Sequence, residues 1–183
     1  MKKLLFIFLI LLPIANLKVF PIDCPTDIPP TNIEWTRVGP VLIPVVFPNG
    51  DTCWCWVIYC WRYFEITNPA IEVYVGGVGP VNPSCIENYS ITEVFKATGK
   101  TIIKTNPQNF NWDCPDCPME IINYRVYYEA CYDQNNQPCY EGNTYCETSY
   151  TVCCENGIRI VDEISSRSIG NDCGEGCVPT SCE

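Results

Sequence analysis

The cysteines constrain this chain more than any other feature of its sequence. Fifteen of its 183 residues are cysteine, none lies before Cys24, and the chain contains no histidine. Cysteine at this density indicates a disulfide framework in a secreted protein, because thiols are kept reduced in the cytosol. The absence of histidine removes the commonest general base and every catalytic arrangement built on an imidazole. The sequence therefore favours a disulfide-stabilised scaffold over an enzyme that depends on histidine.

The first twenty residues have the pattern of a secretory signal peptide. Lys2 and Lys3 precede the apolar run Leu4 to Leu12, which is the order of a charged and then a hydrophobic region. No small-x-small pattern fixes the cleavage site, so an uncleaved N-terminal anchor is the alternative. We expect a leader over 1–20, a single β domain over 21–164, and an irregular cysteine-rich tail over 165–183 that disulfides hold on the domain. The mature protein is then secreted or at the cell surface, without membrane contact after cleavage.

The charge of the chain argues against one class of partner. Without the three lysines of the leader, 8 basic residues stand against 21 acidic ones, a net charge of −13. Arg37, Arg62, Arg125 and Arg159 are far apart in sequence, whereas phosphate binding needs clustered Lys and Arg. We therefore expect no nucleic-acid partner.

Strand-forming runs between turn residues predict an all-β fold. At the observed spacing, such runs are typical of an antiparallel β-sandwich. At most one short helix is expected, from a capping box at Ser90 and Glu93 to a stop at Gly99. The candidate strands are Ile33 to Arg37, Val41 to Phe47, Thr52 to Ile66, Ile71 to Val75, Lys100 to Thr105, Ile121 to Tyr132, Thr144 to Cys154 and Ile158 to Ile164.

The pair Asn156-Gly157 is the clearest hairpin signal, since both residues accept the positive φ of a type I′ turn. A two-residue loop places Cys154 opposite Arg159 and Cys153 opposite Ile160, so the adjacent cysteines point to opposite faces of the sheet. We expect each to bridge to a different partner, because a disulfide between neighbours is strained.

All fifteen cysteines are candidate disulfide partners, and the sequence leaves their pairing open: Cys24, Cys53, Cys55, Cys60, Cys85, Cys114, Cys117, Cys131, Cys139, Cys146, Cys153, Cys154, Cys173, Cys177 and Cys182. Seven bridges would leave one thiol, which indicates either an intermolecular bond or one unpaired buried cysteine. Cys114 and Cys117 have the CxxC spacing of a redox centre, but the acidic residues around them disfavour a thiolate. We expect structural bridges there, no bound metal and no cofactor.

The most unusual window runs from Cys53 to Phe64 and contains three tryptophans. As a strand it places Trp54, Trp56 and Arg62 on one face and Trp61 on the other. One interpretation is a central strand buried on both sides. The other is an exposed aromatic surface that binds a sugar, a polymer or another subunit. Under that interpretation Trp54, Trp56, Trp61 and Arg62 are the binding residues.

Two functional hypotheses follow from these patterns. The first is a structural or binding protein that assembles or adheres outside the cell through strand edges and the aromatic segment, its partner being itself or an extracellular polymer. The second is a secreted protein that binds or cleaves glycans. Cleavage would use two carboxylates, and Glu65, Glu72, Glu120 and Glu129 lie on aromatic-rich strand segments. No pair among them stands out in the sequence, so we assign no catalytic residue and favour binding over catalysis.

Overall fold

The computed structural model of the chain describes residues 23–29, 33–63, 71–105, 116–117, 122–134, 138–139, 144–170 and 173–183. Within these residues a six-stranded sheet carries one α-helix. The elements are β1 (Thr36–Val46), β2 (Thr52–Tyr63), β3 (Ile71–Pro80), a 3₁₀ turn (Pro83–Cys85), α1 (Ile91–Thr105), β4 (Ile122–Glu129), β5 (Cys131–Tyr132), β6 (Tyr145–Glu155), β7 (Ile158–Ile169) and β8 (Val178–Pro179). The predicted leader lies outside the described residues.

The strands of the main sheet follow the order β1-β2-β3-β4-β6-β7, and β5 pairs with β8 in a separate two-stranded sheet. All neighbours in the main sheet are antiparallel except β3 and β4. The all-β, disulfide-rich class is confirmed, but the architecture differs from the expected sandwich because a helix covers one face. Parallel neighbours need a crossover connection, and α1 is part of the connection between β3 and β4.

Helix α1 begins at the predicted capping box. The backbone N–H of Ser90 donates to Oε2 of Glu93 at 2.7 Å, and the backbone N–H of Glu93 donates to Oγ of Ser90 at 3.2 Å. The pair satisfies two N–H groups that the first helical turn cannot bond. The start of the helix is thus confirmed, whereas the predicted stop at Gly99 and the predicted strand Lys100 to Thr105 are wrong.

The helix continues past Gly99 because packing outweighs local preference. A Cβ on Gly99 would overlap Cγ1 of Val126 and lie 3.1 Å from its Cγ2, so glycine permits the close approach of α1 to β4. Ile102 and Ile103 are fully buried in the core. Burying two such side chains contributes about 3–6 kcal/mol, which exceeds the few tenths of a kcal/mol by which each β-branched residue disfavours a helix.

The apolar core occupies both faces of the central strands. The larger cluster lies under α1 and includes Val57, Val73 and Val126 from β2, β3 and β4. A smaller cluster lies on the opposite face, where Ile28 of the N-terminal segment packs with side chains of the sheet: Cys60, Tyr74, Tyr127 and Tyr145. The central strands are therefore buried on both sides, as a near-continuous apolar strand requires.

Two strands run further than the sequence predicts. Strand β1 joins the two predicted strands Ile33 to Arg37 and Val41 to Phe47, with an irregularity in its pairing between Val38 and Val41. Strand β7 continues to Ile169, past the predicted domain end at residue 164. Long strands at the two ends of the sheet follow from pairing with long neighbours, which a sequence window does not show.

The predicted hairpin is confirmed in turn type and register. Asn156 and Gly157 have φ angles of 52° and 76°, as a type I′ turn requires. Cys154 pairs with Arg159 and Cys153 with Ile160. Cys153 bonds to Cys117, and Cys154 bonds to a partner outside the described residues. The two adjacent cysteines thus join different partners, as expected.

Six disulfides join described cysteines: Cys24–Cys60, Cys53–Cys85, Cys117–Cys153, Cys131–Cys173, Cys139–Cys177 and Cys146–Cys182. Their sequence separations lie between 32 and 42 residues. The chain-entropy model gives a bridge over such a loop about 4 kcal/mol of stabilisation. The last three bridges join the C-terminal tail to Cys131 of β5, to Cys139 and to Cys146 of β6. Cys117 belongs to a structural bridge rather than to a CxxC disulfide.

Cys55 is the free cysteine among the described ones, and it is buried. Of the two alternatives for an odd cysteine, an unpaired buried thiol fits Cys55, since a thiol without solvent access cannot bond to another chain. Burial also raises the pKa of Cys55 to about 11, which keeps the thiol protonated and unreactive.

We predict that replacing Gly99 by alanine destabilises the protein. The overlap with Val126 costs about 1–3 kcal/mol, whereas the gain in helix propensity returns at most about 1 kcal/mol. Urea denaturation measures the difference. Val126→Ala in the same chain removes the overlapping methyl groups, so the double variant should lose less than the sum of the two single variants. Simple additivity would contradict the close contact.

We predict that Cys55 resists alkylation in the native protein. At pH 8 without reductant, iodoacetamide should leave the peptide that contains Cys55 unmodified, and the same treatment in 6 M guanidinium chloride should modify it. Peptide mapping by mass spectrometry measures both states. Rapid native labelling at Cys55 would show that the thiol is accessible.

Candidate functional site

The first half of β2 exposes two tryptophans side by side. Trp54 and Trp56 keep 53% and 40% of their surface accessible, and both point to the face opposite α1. On β1, Leu42 pairs with Trp56 and Pro44 pairs with Trp54. We call this patch the tryptophan surface; its residues are Leu42, Pro44, Val46, Trp54 and Trp56. Two rings separated by two positions along a strand stand about 7 Å apart.

Glycines on the neighbouring strand leave the indole ring of Trp56 uncovered. Gly79 of β3 pairs with Trp56, and Gly77 pairs with Ile58. Neither residue has a side chain that could lie over the indole of Trp56. An ideal Cβ on Gly79 would meet one atom within 4 Å, the backbone oxygen of Trp56. The exposure of Trp56 is therefore built into the sequence of β3.

The opposite face of the same strand segment is fixed in the core. Cys53, Cys55 and Val57 are buried under α1, and the Cys53–Cys85 disulfide ties the strand to the 3₁₀ turn. Alternation along the strand places each exposed tryptophan between two buried residues. The backbone that carries Trp54 and Trp56 is thus held in place, so binding there would cost little ordering of the chain.

The structure separates the four predicted binding residues. Trp61 lies half-buried on the core face, in edge contact with Tyr63 at a ring distance of 5.3 Å. Arg62 is 3% exposed. Trp54 and Trp56 alone of the four share the exposed surface, so the tryptophan surface excludes Trp61 and Arg62.

Arg62 instead holds the N-terminal segment against the sheet. Its Nε lies 2.7 Å from Oε2 of Glu72, and its Nη2 donates to the carbonyl oxygens of Ile28 and Pro29 at 2.8 and 3.0 Å. The ring of Trp35 stacks on the guanidinium at 4.2 Å. A buried charge is tolerated when it is paired and hydrogen-bonded in this way. Arg62 therefore has a structural role.

Glu72 is the acidic centre of the same network. Besides Arg62, it accepts a hydrogen bond from the hydroxyl of Tyr127 at 2.7 Å and lies 3.7 Å from Arg125. It is fully buried. A carboxylate that two arginines and a tyrosine surround is satisfied where it stands, and it has no surface to offer a substrate.

Glu129 occupies a different buried position on the same face. It is 4% exposed and accepts a hydrogen bond from the hydroxyl of Tyr74 at 2.8 Å. Burial raises the pKa of Glu129, the hydrogen bond from Tyr74 lowers it and the negative charge of Asp27 raises it, and the net result is a pKa of about 7. Both described members of the carboxylate set thus lie in the core, and Glu65 and Glu120 lie outside the described residues.

The described ranges contain no candidate metal-ion site and no candidate membrane-spanning helix. No group of three or more Cys, Asp and Glu side chains there is arranged to hold a metal ion. No helix of those ranges has the length and apolar character needed to cross a membrane.

Comparisons with family models, curated proteins and solved structures find no match to this chain. Of the candidate binding and catalytic residues that lie in the described ranges, Trp54 and Trp56 are the two that the fold leaves exposed.

We predict that the buried carboxyl of Glu129 makes the stability depend on pH. Its folded-state pKa of about 7 lies above the ordinary value of 4.5, so the native state binds more protons than the unfolded state between these values. Stability should fall as the pH rises through this window. Glu129→Gln stays neutral, so relative to the native sequence it should gain about 3 kcal/mol at pH 8 and little at pH 4.

Urea denaturation at the two pH values measures this difference. The control is Asp162→Asn, which removes a carboxylate from the exposed part of β7 and should have the same small effect at both pH values. A Glu129→Gln effect that does not change with pH would contradict the buried, protonated carboxyl.

Proposed function

We propose that the protein is a secreted, disulfide-stabilised binding protein that adheres to or assembles with a partner outside the cell through the tryptophan surface. The exposure of Trp54 and Trp56 on a strand whose other face is core carries this proposal. Aromatic residues that stand exposed on a rigid element favour contact with a partner, because they bury much area at little cost in side-chain entropy.

The disulfides support the extracellular part of the proposal. Bridges such as Cys24–Cys60 and Cys146–Cys182 tie both ends of the described chain to the sheet. Disulfides form and persist in oxidising compartments and are rare in the cytosol. Bridged ends also limit the local opening that proteases exploit, which suits a protein that must persist outside the cell.

The edges of the sheet support a smaller contribution to assembly. On β1, Pro40 and Pro44 lack a backbone N–H, and the N–H of Val46 already donates to Oγ1 of Thr101 at 3.2 Å. On β7 the pairing is irregular near Ile164, but Ser165 to Ile169 continue without proline. Prolines and bulges are the means by which edge strands avoid pairing. We therefore propose the main contact on the tryptophan surface and a secondary contact by strand addition on the last part of β7.

The assembly form of the proposal predicts large species that depend on the tryptophans. Sedimentation velocity of the purified mature protein should show oligomers that Trp54→Ser/Trp56→Ser converts to monomers. Losing one central aromatic residue costs about 2 kcal/mol or more, roughly 30-fold in Kd. Val178→Ser is the matched control, since Val178 is an exposed apolar residue outside the patch, and it should leave the oligomers unchanged.

Loss of oligomers in the double variant would not result from unfolding, because both tryptophans are exposed. The circular dichroism spectrum of the double variant should match that of the native protein. Oligomers that persist in the double variant, or that Val178→Ser disrupts equally, would overturn assembly through the tryptophan surface.

Polysaccharide binding is the second candidate, and one further observation favours it. Beside the Val46 end of the patch, the turn between β1 and β2 presents an exposed polar cluster in which the amide of Asn49 donates to Asp51 and to Tyr89. Sugar recognition combines aromatic stacking with such polar groups. A monomer whose tryptophan fluorescence shifts with a soluble glucan or chitin oligomer, and no longer does so in the double variant, would favour this candidate over assembly.

A further inference from the structure

A groove of about 640 Å³ lies between α1 and the two terminal strands of the sheet, β1 and β7. Buried side chains form its floor, namely Phe47, Ala97 and Tyr150, while Val46 and Ile158 stand exposed at its rim. This volume falls within the range of small-molecule sites, which are mostly apolar with a few polar groups. The groove is separate from the tryptophan surface, although Pro44 and Val46 border both.

Cations collect along one side of this groove. Lys96, Lys100 and Lys104 follow one another at intervals of four on α1, and Arg159 reaches the groove from β7. With Glu93 and Glu163 the lining has four positive and two negative side chains, a local excess of two positive charges in a chain whose net charge is −10. An isolated positive site on an acidic protein attracts an anion selectively.

Two of the four cations are already engaged. Lys96 pairs with Glu163 at 3.2 Å, and Nη1 of Arg159 donates to the carbonyl oxygen of Ile103 at 3.1 Å. Lys100 and Lys104 are exposed, and no carboxylate of the described residues lies within ion-pair distance of them. Lys100 and Lys104 therefore provide the available positive charge, toward the C-terminal end of α1.

We propose that this groove binds a single-chain amphiphile with an anionic head group, such as a free fatty acid. The acyl chain lies along Phe47, Ala97 and Tyr150, and the carboxylate lies between Lys100 and Lys104. The apolar floor of the groove matches the acyl chain of such a ligand, and the cationic end of the groove matches its head group. An acidic peptide would satisfy the lysines but would set its polar backbone on an apolar floor, which costs free energy.

The acyl chain sets the affinity and the head group sets the specificity. Each buried methylene contributes a factor of about four in Kd. Tetradecanoate should therefore bind about 15-fold more tightly than dodecanoate, while tetradecanol and tetradecyltrimethylammonium should bind at least tenfold more weakly than tetradecanoate. Isothermal titration of the mature protein, below the concentration at which each amphiphile aggregates, measures these ratios and should give one site per chain.

Charge reversal tests the assignment of the head group. Lys100→Glu and Lys104→Glu should each weaken tetradecanoate binding at least tenfold. Arg37→Glu makes the same change of charge at an exposed position of β1 that does not line the groove, and its Kd should stay within twofold. Ile158→Asp, at the exposed rim, should weaken binding through the apolar wall without disturbing the fold.

Several outcomes would overturn the proposal. These are no saturable binding of tetradecanoate, equal weakening by Arg37→Glu, affinity that ignores chain length or head-group charge, and binding to anionic vesicles or to poly-glutamate without binding of the free amphiphile. Trp54→Ser/Trp56→Ser should bind tetradecanoate as the native protein does. Loss of binding in that variant would place the ligand on the tryptophan surface. Unchanged binding would show that the groove binds the ligand whether or not the tryptophan surface mediates adhesion.

Discussion

Both faces of the central strands are apolar, so this sheet must be covered on two sides, and the way in which the chain covers it determines the rest of the structure. Helix α1 covers one face, where Gly99 lets it contact Val126 closely. On the other face the segment around Ile28 covers the region of Tyr74 and Tyr127. That segment does not reach the first half of β2. Among the described residues, the tryptophan surface is an apolar part of the second face that stays exposed.

Arg62 and the Cys24–Cys60 disulfide decide where this cover ends. Both act at neighbouring positions: the bridge anchors the segment covalently, and the guanidinium binds its carbonyl oxygens at Ile28 and Pro29. A short irregular segment buries too little apolar area to stay in place by itself, since each ordered residue loses about 1–2 kcal/mol of backbone entropy. Removing one partner of a buried ion pair is costly because the other charge is left unpaired. Arg62, which the sequence predicts as a binding residue, is thus the residue that holds the N-terminal segment against the sheet.

Local signals in the sequence predicted the elements that short-range contacts determine. The capping box of Ser90 and Glu93 and the turn Asn156-Gly157 each depend on residues close in sequence, and both were confirmed. The β-branched residues after Gly99 predict a strand, whereas burial of Ile102 and Ile103 in the core keeps this run helical. Alternation places Trp54 and Trp56 on one face, but the exposure of Trp56 also depends on Gly79 of another strand. Contacts between residues that are distant in sequence determine these features, which local propensity does not predict.

The groove is a second feature that local signals in the sequence do not predict. The sequence predicts a strand from Lys100 to Thr105, so it does not place Lys96, Lys100 and Lys104 on one face. The observed helix does so, and β1 and β7 with Arg159 complete the groove. The two surfaces share Pro44 and Val46, but sharing a border does not couple them, because coupling requires an element with two alternative states. Strand β1 is paired along β2 and bonded to Thr101 through Val46. It offers one arrangement, so the groove and the tryptophan surface should act independently, except where their ligands would touch across β1.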